Sequence, residues 1–238
     1  KLAIEHFIVN RPYGCMIDRG SKVTIVSPSS LVDPVIGAYT YYFAKLGGFN
    51  YISREIGELR PYKSFYTCTD DVPGLDEYLS DIEKLSTKEG SWVITLLAAS
   101  GANEPELPSQ IHLTYGGKKG DASLEAPTVV IRDKETATAM FEDMENILES
   151  EYGIKADRQK YHDSAGPNMF MRKLSNAESV NGLIIRIAWS CMYWDSRRIK
   201  IAQSMADIIK KHVEPKENNV LDPELKIKGI AYEGHTIE

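Results

Sequence analysis

The stretch that most constrains the fold is residues 33–53, DPVIGAYTYYFAKLGGFNYIS. It sets Tyr39, Tyr41, Tyr42, Phe43, Phe49 and Tyr51 around the pair Gly47 and Gly48. Each large aromatic ring buries roughly 150–250 Å² when packed, so the stretch has to lie against a core. Residues 34–45 satisfy either a helix or a strand. Residues 46–52 read as a strand, because glycine in a helix interior costs about 1 kcal/mol. Inside a strand, such a pair marks a bulge or a close backbone approach. A flavin or sugar could stack on these tyrosines, but a packed sheet face explains them without a ligand.

The segments before Pro127 look rich in strands. LAIEHFIV is β-rich and is broken by Arg11, Pro12, Tyr13 and Gly14, and KVTIVS at 22–27 alternates. KSFYTCT at 63–69 and SWVITLLAA at 91–99 read as further strands, with a helix between them at 75–85. Asp76 and Glu77 suit the start of that helix, where the peptide dipoles favour negative charge. SQIHLTY at 109–115 alternates, placing His112 on the face opposite Ile111 and Leu113. The GGKKGD that follows lacks the spacing of a phosphate loop and reads as an exposed turn.

After Pro127 the pattern alternates strands with long helices. TVVIR at 128–132 predicts a strand, and Met140, Phe141, Met144, Ile147 and Leu148 give a helix over 136–152 closed by Gly153. Residues 169–174 read as a returning strand. Residues 179–194 fit either a strand at 183–189 or a helix continuing into 197–211. Residues 214–238 read as a wrapping segment with one strand at 225–231.

Chemistry-bearing residues are sparse. The three cysteines, Cys15, Cys68 and Cys191, form no C-x-x-C pair, which argues against a disulfide framework or thiolate metal site and for a reducing compartment. Asp70, Asp71, Asp76 and Glu77 miss calcium-loop spacing. His6, His112 and His235 stand alone, so neither a metal nor a cofactor is expected. His162, Asp163 and Ser164 are adjacent, whereas catalytic triads are assembled from separate segments. One arrangement would suit an α/β cysteine hydrolase: Cys191 at a strand end as nucleophile, His162 as base, and Asp195 orienting it. A buried Cys191 would instead be inert. A net charge of −6 argues against an extended nucleic-acid surface, and no apolar run approaches the ~20 residues of a membrane helix.

Three segments in order, IEHFIVNRPYG, DP followed by YYFAKLGGFNY, and LPSQIHLTYGGKKGDASLEAPT, resemble capsid proteins of picorna-like viruses. The likeness is to the insect-infecting dicistrovirus and iflavirus types. It implies an α+β chain: an antiparallel β-rich, jelly-roll-like sandwich over 1–127, short for eight strands, and an α/β extension or protruding domain over 128–238. The implied function is structural: a subunit of an icosahedral virion that binds other capsid subunits and a host receptor, with no catalysis and no cofactor. Lys45, Leu46, Gly47 and Gly48 stand where those capsids carry an Arg-Gly turn, and the helical second half has no place in the barrel. The alternatives are the cysteine hydrolase, in the cytoplasm, and a non-viral binding module. A bulge or turn at Gly47 and Gly48 supports the capsid reading; a mid-helix position opposes it.

Overall fold

The computed structural model describes residues 8–28, 30, 34–55, 74–99, 110–118, 120–159, 173–192 and 195–214. Its strands are β1 (Val9–Arg11), β2 (Gly14–Ile17), β3 (Val23–Ser27), β4 (Asn50–Arg54), β5 (Trp92–Ala99), β6 (Ile111–Thr114), β7 (Ala156–Arg158) and β8 (Asn181–Ala188). Its helices are α1 (Pro34–Gly47), α2 (Leu75–Leu85), α3 (Lys134–Tyr152), α4 (Trp189–Met192) and α5 (Asp195–Val213).

The strands form one sheet in the order β1-β2-β4-β3-β5-β8-β6-β7. Pairing is parallel for β3–β4, β3–β5, β5–β8 and β6–β7, and antiparallel for β1–β2, β2–β4 and β6–β8. This is an α/β architecture, and it corrects the expectation of an antiparallel jelly-roll sandwich. The reason lies in the central strands. WVITLLAA in β5 is apolar on both faces, and such a run needs a packed layer above and below it, which helical crossovers on both faces of a parallel sheet supply.

Alternation along the strands sorts the core into two layers. Val23, Ile25, Trp92, Ile94, Leu96, Leu183, Ile185 and Ile187 face Ile36, Tyr39 and Phe43 of α1, together with residues of α3 and α5. Val26, Ile52 and Val93 face the other way, against Leu75, Tyr78, Ile82 and Leu85 of α2. The helix expected at 75–85 is α2, opening with Asp76 and Glu77 in its first turn. The division expected at residue 127 falls inside the sheet, since β8 pairs with both β5 and β6.

The aromatic stretch is the clearest local departure. Residues 34–47 are helix, with Ile36, Tyr39 and Phe43 buried at helical spacing. The helix ends where the glycines stand. Gly48 takes a φ of 67°, Gly48 N–H donates to Lys45 O (3.2 Å), and Phe49 N–H donates to Ala44 O (2.9 Å). That pair of bonds is a Schellman stop, which favours glycine at the left-handed position. The glycines therefore end a helix and bulge no strand; only 50–54 of the stretch is strand.

Residues 181–188 are strand, and 189–192 and 195–213 are helix. Residues 128–132 form no strand, although Val130 bridges neighbours: its N–H donates to Tyr115 O and its carbonyl accepts from Gly182 N–H. The strands expected at 63–69 and 225–231, and 169–172 of the returning strand, lie outside the described residues. Among the described residues, no helix is long and apolar enough to cross a membrane.

Candidate functional site

The chain leaves β3, runs through α1 and returns as β4 on one side of β3; it then crosses through α2 and returns as β5 on the other side. Neighbouring crossovers that diverge in this way open a crevice outside the carboxyl end of the strand between them, and open α/β sheets bind ligands there. Here a crevice of about 380 Å³ opens at the carboxyl ends of β3 and β4, with Cys15, Ser30, Gly37, Tyr41, Tyr51, Ser53 and Glu55 in its lining.

Its floor is a hydroxyl cluster. Ser30 Oγ donates to Ser27 Oγ at 2.7 Å, and Ser30 and Ser53 hydroxyls meet at 2.6 Å. The Tyr51 phenol is pushed up to about 12 by burial, with the Ser53 and Ser30 hydroxyls pulling the other way. Gly37 explains how Ser30 comes so close: a Cβ there would lie 2.6 Å from Ser30 O, so α1 and the turn after β3 approach only with glycine at this position.

The wall of the crevice is a thiol–carboxylate pair. Cys15 Sγ donates to Glu55 Oε1 at 3.2 Å. Burial first, and then the Glu55 carboxylate, push this thiol up to about 12. Cys15 is therefore a hydrogen-bond donor that holds Glu55, and at neutral pH it is no thiolate nucleophile. Glu55 itself is exposed at the mouth.

The residues singled out from sequence fall elsewhere. Cys191 sits in α4, just past the end of β8, and is 2% exposed. Burial pushes its thiol up, against opposing contributions from Ser190 and Arg197. His162 lies outside the described residues, as do His6, His235 and Cys68, and nothing is described of the Asp195 side chain at the start of α5. Both described thiols are thus protonated at neutral pH. Native protein treated with iodoacetamide should leave Cys15 and Cys191 unmodified by peptide mapping, with labelling growing as pH rises toward the elevated thiol values. Rapid alkylation of either at pH 7 would contradict this geometry. The linked stability follows in sign: a raised thiol supports the fold below its unfolded value near 8.5, and that support is lost as pH rises through the folded value.

The sequence drew no notice to Ser30, Ser53 or Glu55, showed Cys15 only as an unpaired cysteine, and offered Tyr51 only as one of several tyrosines on which a ligand could stack. They arrive from three separate segments, and the one signal for them is small polar residues, Ser27, Ser30 and Ser53, directly after β-branched runs.

A second polar group stands on the opposite face of the sheet, toward its β7 edge and away from the crevice. The register aligns Leu97 of β5, Arg186 of β8, His112 of β6 and Asp157 of β7 in one cross-strand row. Arg186, His112 and Asp157 are all buried. His112 does face away from Ile111 and Leu113, but on a covered face of the sheet.

No protein-family profile matches the chain, and no curated protein does. Solved structures show the fold. A gene product of Agrobacterium tumefaciens, Atu2144, superposes with a TM-score of 0.53 at 12% identity, covering 85% of this chain and 94% of its own. A metallo-carboxypeptidase from Burkholderia cenocepacia superposes with a TM-score of 0.57 at 10% identity, covering 90% of this chain. The chain spans 66% of that carboxypeptidase's length. These likenesses and the single mixed sheet overturn the capsid resemblance. With it go the structural-subunit function, the capsid-subunit and receptor partners, and the virion location. The three quoted segments fail physically for one reason: the middle one is largely helix α1, which no jelly-roll strand can replace.

Proposed function

We propose that the protein hydrolyses amide or peptide bonds in the crevice at the carboxyl ends of β3 and β4. The observation that carries this reading is a carboxylate, Glu55, held by the Cys15 thiol beside the Ser30–Ser53–Tyr51 hydroxyls at a topological switch point. The Burkholderia neighbour, named a metallo-carboxypeptidase, supports a hydrolytic chemistry for this architecture.

A metal does not fit the residues described. No group of three or more His, Cys, Asp or Glu side chains converges among them. At the crevice the donors are one carboxylate, one thiol raised to about 12, and hydroxyls, whereas a zinc site takes three or four deprotonated or imidazole ligands. The chemistry is therefore derived from the chain's own groups. Glu55 takes a proton from water as the water oxygen bonds to the amide carbon. Glu55 then returns the proton to the leaving amine as the C–N bond breaks. Positioned proton transfer of this kind contributes about 10²–10⁴-fold.

The test is a panel of N-acyl amino acids and short peptides incubated with the intact protein, with products read by mass spectrometry. Turnover that falls about 100-fold in Glu55→Gln, with unchanged circular dichroism, is the expected result. Binding without any turnover, or turnover that Glu55→Gln leaves intact, would overturn the proposal.

A further inference from the structure

Away from the serine hydroxyls, the Cys15 thiol and Glu55, the side chains lining the crevice are those of Ile8, Ile17, Ala38, Tyr41 and Tyr51. The strand register explains how they gather. Cys15 and Ile17 share one face of β2, with Ser53 opposite Cys15 and Tyr51 opposite Ile17 on β4. Helix α1 packs mainly over β3, β4 and β5. That leaves a trough with Ala38 and Tyr41 on one side and Ile8 and Ile17 on the other.

The trough is firm on one wall and open on the other. The Tyr41 ring meets Tyr51 edge-on at 5.6 Å and Tyr42 at 6.1 Å between centroids, so neighbouring rings hold it in place. Ile8 faces it and is 58% exposed. Apolar surface left in water beside an open trough gains when a ligand covers it, roughly in proportion to the area removed from water. The crevice, about 380 Å³, falls in the size range of sites that enclose a small organic ligand between apolar walls and a few polar groups. Among the described lining residues, Glu55 carries the charge and no cation stands beside it. An acidic side chain would therefore meet a like charge and find no counter-ion.

We propose that the crevice selects amides of apolar amino acids, seating the side chain among Ile8, Ile17, Ala38 and Tyr41 while the amide lies against Glu55. This inference rests on the hydrolytic reading of the crevice and adds to it the identity of the residue beside the bond. The trough and the carboxylate divide the work. The apolar walls hold the side chain, which makes no demand on the hydroxyls already bonded to one another, and Glu55 stays free for water at the mouth.

The experiment is calorimetric titration of full-length Glu55→Gln, whose slowed turnover leaves binding readable, alongside turnover of the parent by mass spectrometry. The probes are N-acetyl-leucinamide and the matching amides of asparagine, aspartate and lysine. The leucine amide should bind about tenfold or more tightly than the asparagine amide of similar size, the gain expected from burying one apolar side chain. Ala38→Phe fills the trough from an exposed position on α1 and should reduce that ratio to about twofold or less. Ile8→Ser, at a residue that is largely in water, should reduce it about threefold. Equal binding of the leucine and asparagine amides, no binding of any probe, tighter binding of the aspartate or lysine amide, or a ratio that either variant leaves intact would each overturn the inference. Preference for leucine with no turnover by the parent would support the trough and overturn hydrolysis. Turnover with no preference would overturn the trough and leave hydrolysis standing.

Discussion

Asp81→Ala is expected to destabilise the protein by about 2–4 kcal/mol, read from urea unfolding of parent and variant. Asp81 stands on α2 and is 7% exposed. It gathers two groups from the β1–β2 hairpin: Tyr13 Oη donates to Oδ2 at 2.8 Å, and Arg11 Nη2 donates to Oδ1 at 3.0 Å. Arg11 Nε lies 2.8 Å from Oδ2, an ion-pair contact whose N–H is not aligned to donate. Burial, followed by the bond to Asp81, drives the Tyr13 phenol far above its ordinary value, so it remains a donor across the accessible pH range. Removing the carboxylate strands that phenol in the core and leaves a cation facing no anion. The Arg11 side chain is 30% exposed, which moderates the electrostatic part and keeps the figure below that for a fully buried pair. Tyr13→Phe combined with Asp81→Leu removes donor and acceptor together, and should recover about half of the loss. The Tyr13 ring would still pack edge-on against Tyr78 at 5.3 Å, so its apolar contribution survives the double change. A loss under about 0.5 kcal/mol for Asp81→Ala would show that α2 docks by apolar contact alone.

The parts of the fold that were legible in the sequence are those decided locally. In α2, Leu75, Tyr78, Ile82 and Leu85 repeat at helical spacing behind two acids, and the structure buries those four residues. In α3, Asp133 caps the helix by accepting from Thr136 N–H, and Gly153 closes it in the left-handed conformation. Pairing was not legible. β5 and β8 lie about ninety positions apart in sequence, and neither says which strand it will join or in which direction. Yet the unbroken apolar character of β5 did carry information, since it marks a strand covered on both faces. Residues 34–45 stayed open between helix and strand because aromatic residues favour strands on average, while Ile36, Tyr39 and Phe43 stand three and four residues apart. Tertiary burial of that stripe decided the outcome.

The crevice was less legible than the fold for a related reason. In the sequence Cys15 is one of three cysteines without a C-x-x-C partner, and its importance is its distance to Glu55, forty residues on. Ser30 and Ser53 became neighbours only because Gly37 lets α1 press against the turn after β3. Cys191 attracted notice as a cysteine at a strand end, but the same apolar surroundings that made β8 recognisable also bury that thiol.

Phe141→Ala is expected to cost about 3–5 kcal/mol and to disturb the β6–β7 edge more than the rest of the sheet. Phe141 is fully buried on α3 and stacks on Tyr115 at 5.1 Å between ring centroids, with the planes 16° apart. The Arg158 guanidinium lies 5.6 Å from the same ring, while its Nε and Nη2 donate to the two oxygens of Glu145, each at 2.7 Å. Glu145 is one turn beyond Phe141, so one helix face supplies both the ring and the carboxylate that hold Arg158 against β7. Truncation removes the ring from Tyr115 and the cation together, and the rigid neighbours cannot close the space. Phe141→Leu separates the contributions: it restores apolar volume without the stack or the cation–π contact, and should cost about 1–2 kcal/mol. His112 and Asp157 ride on the two strands that this contact clamps. Hydrogen exchange should therefore rise first at 111–114 and 156–158 in Phe141→Ala, while β3 and β5 keep their protection. Uniform loss of protection across the sheet would show instead that α3 supports the whole fold as a single cooperative unit.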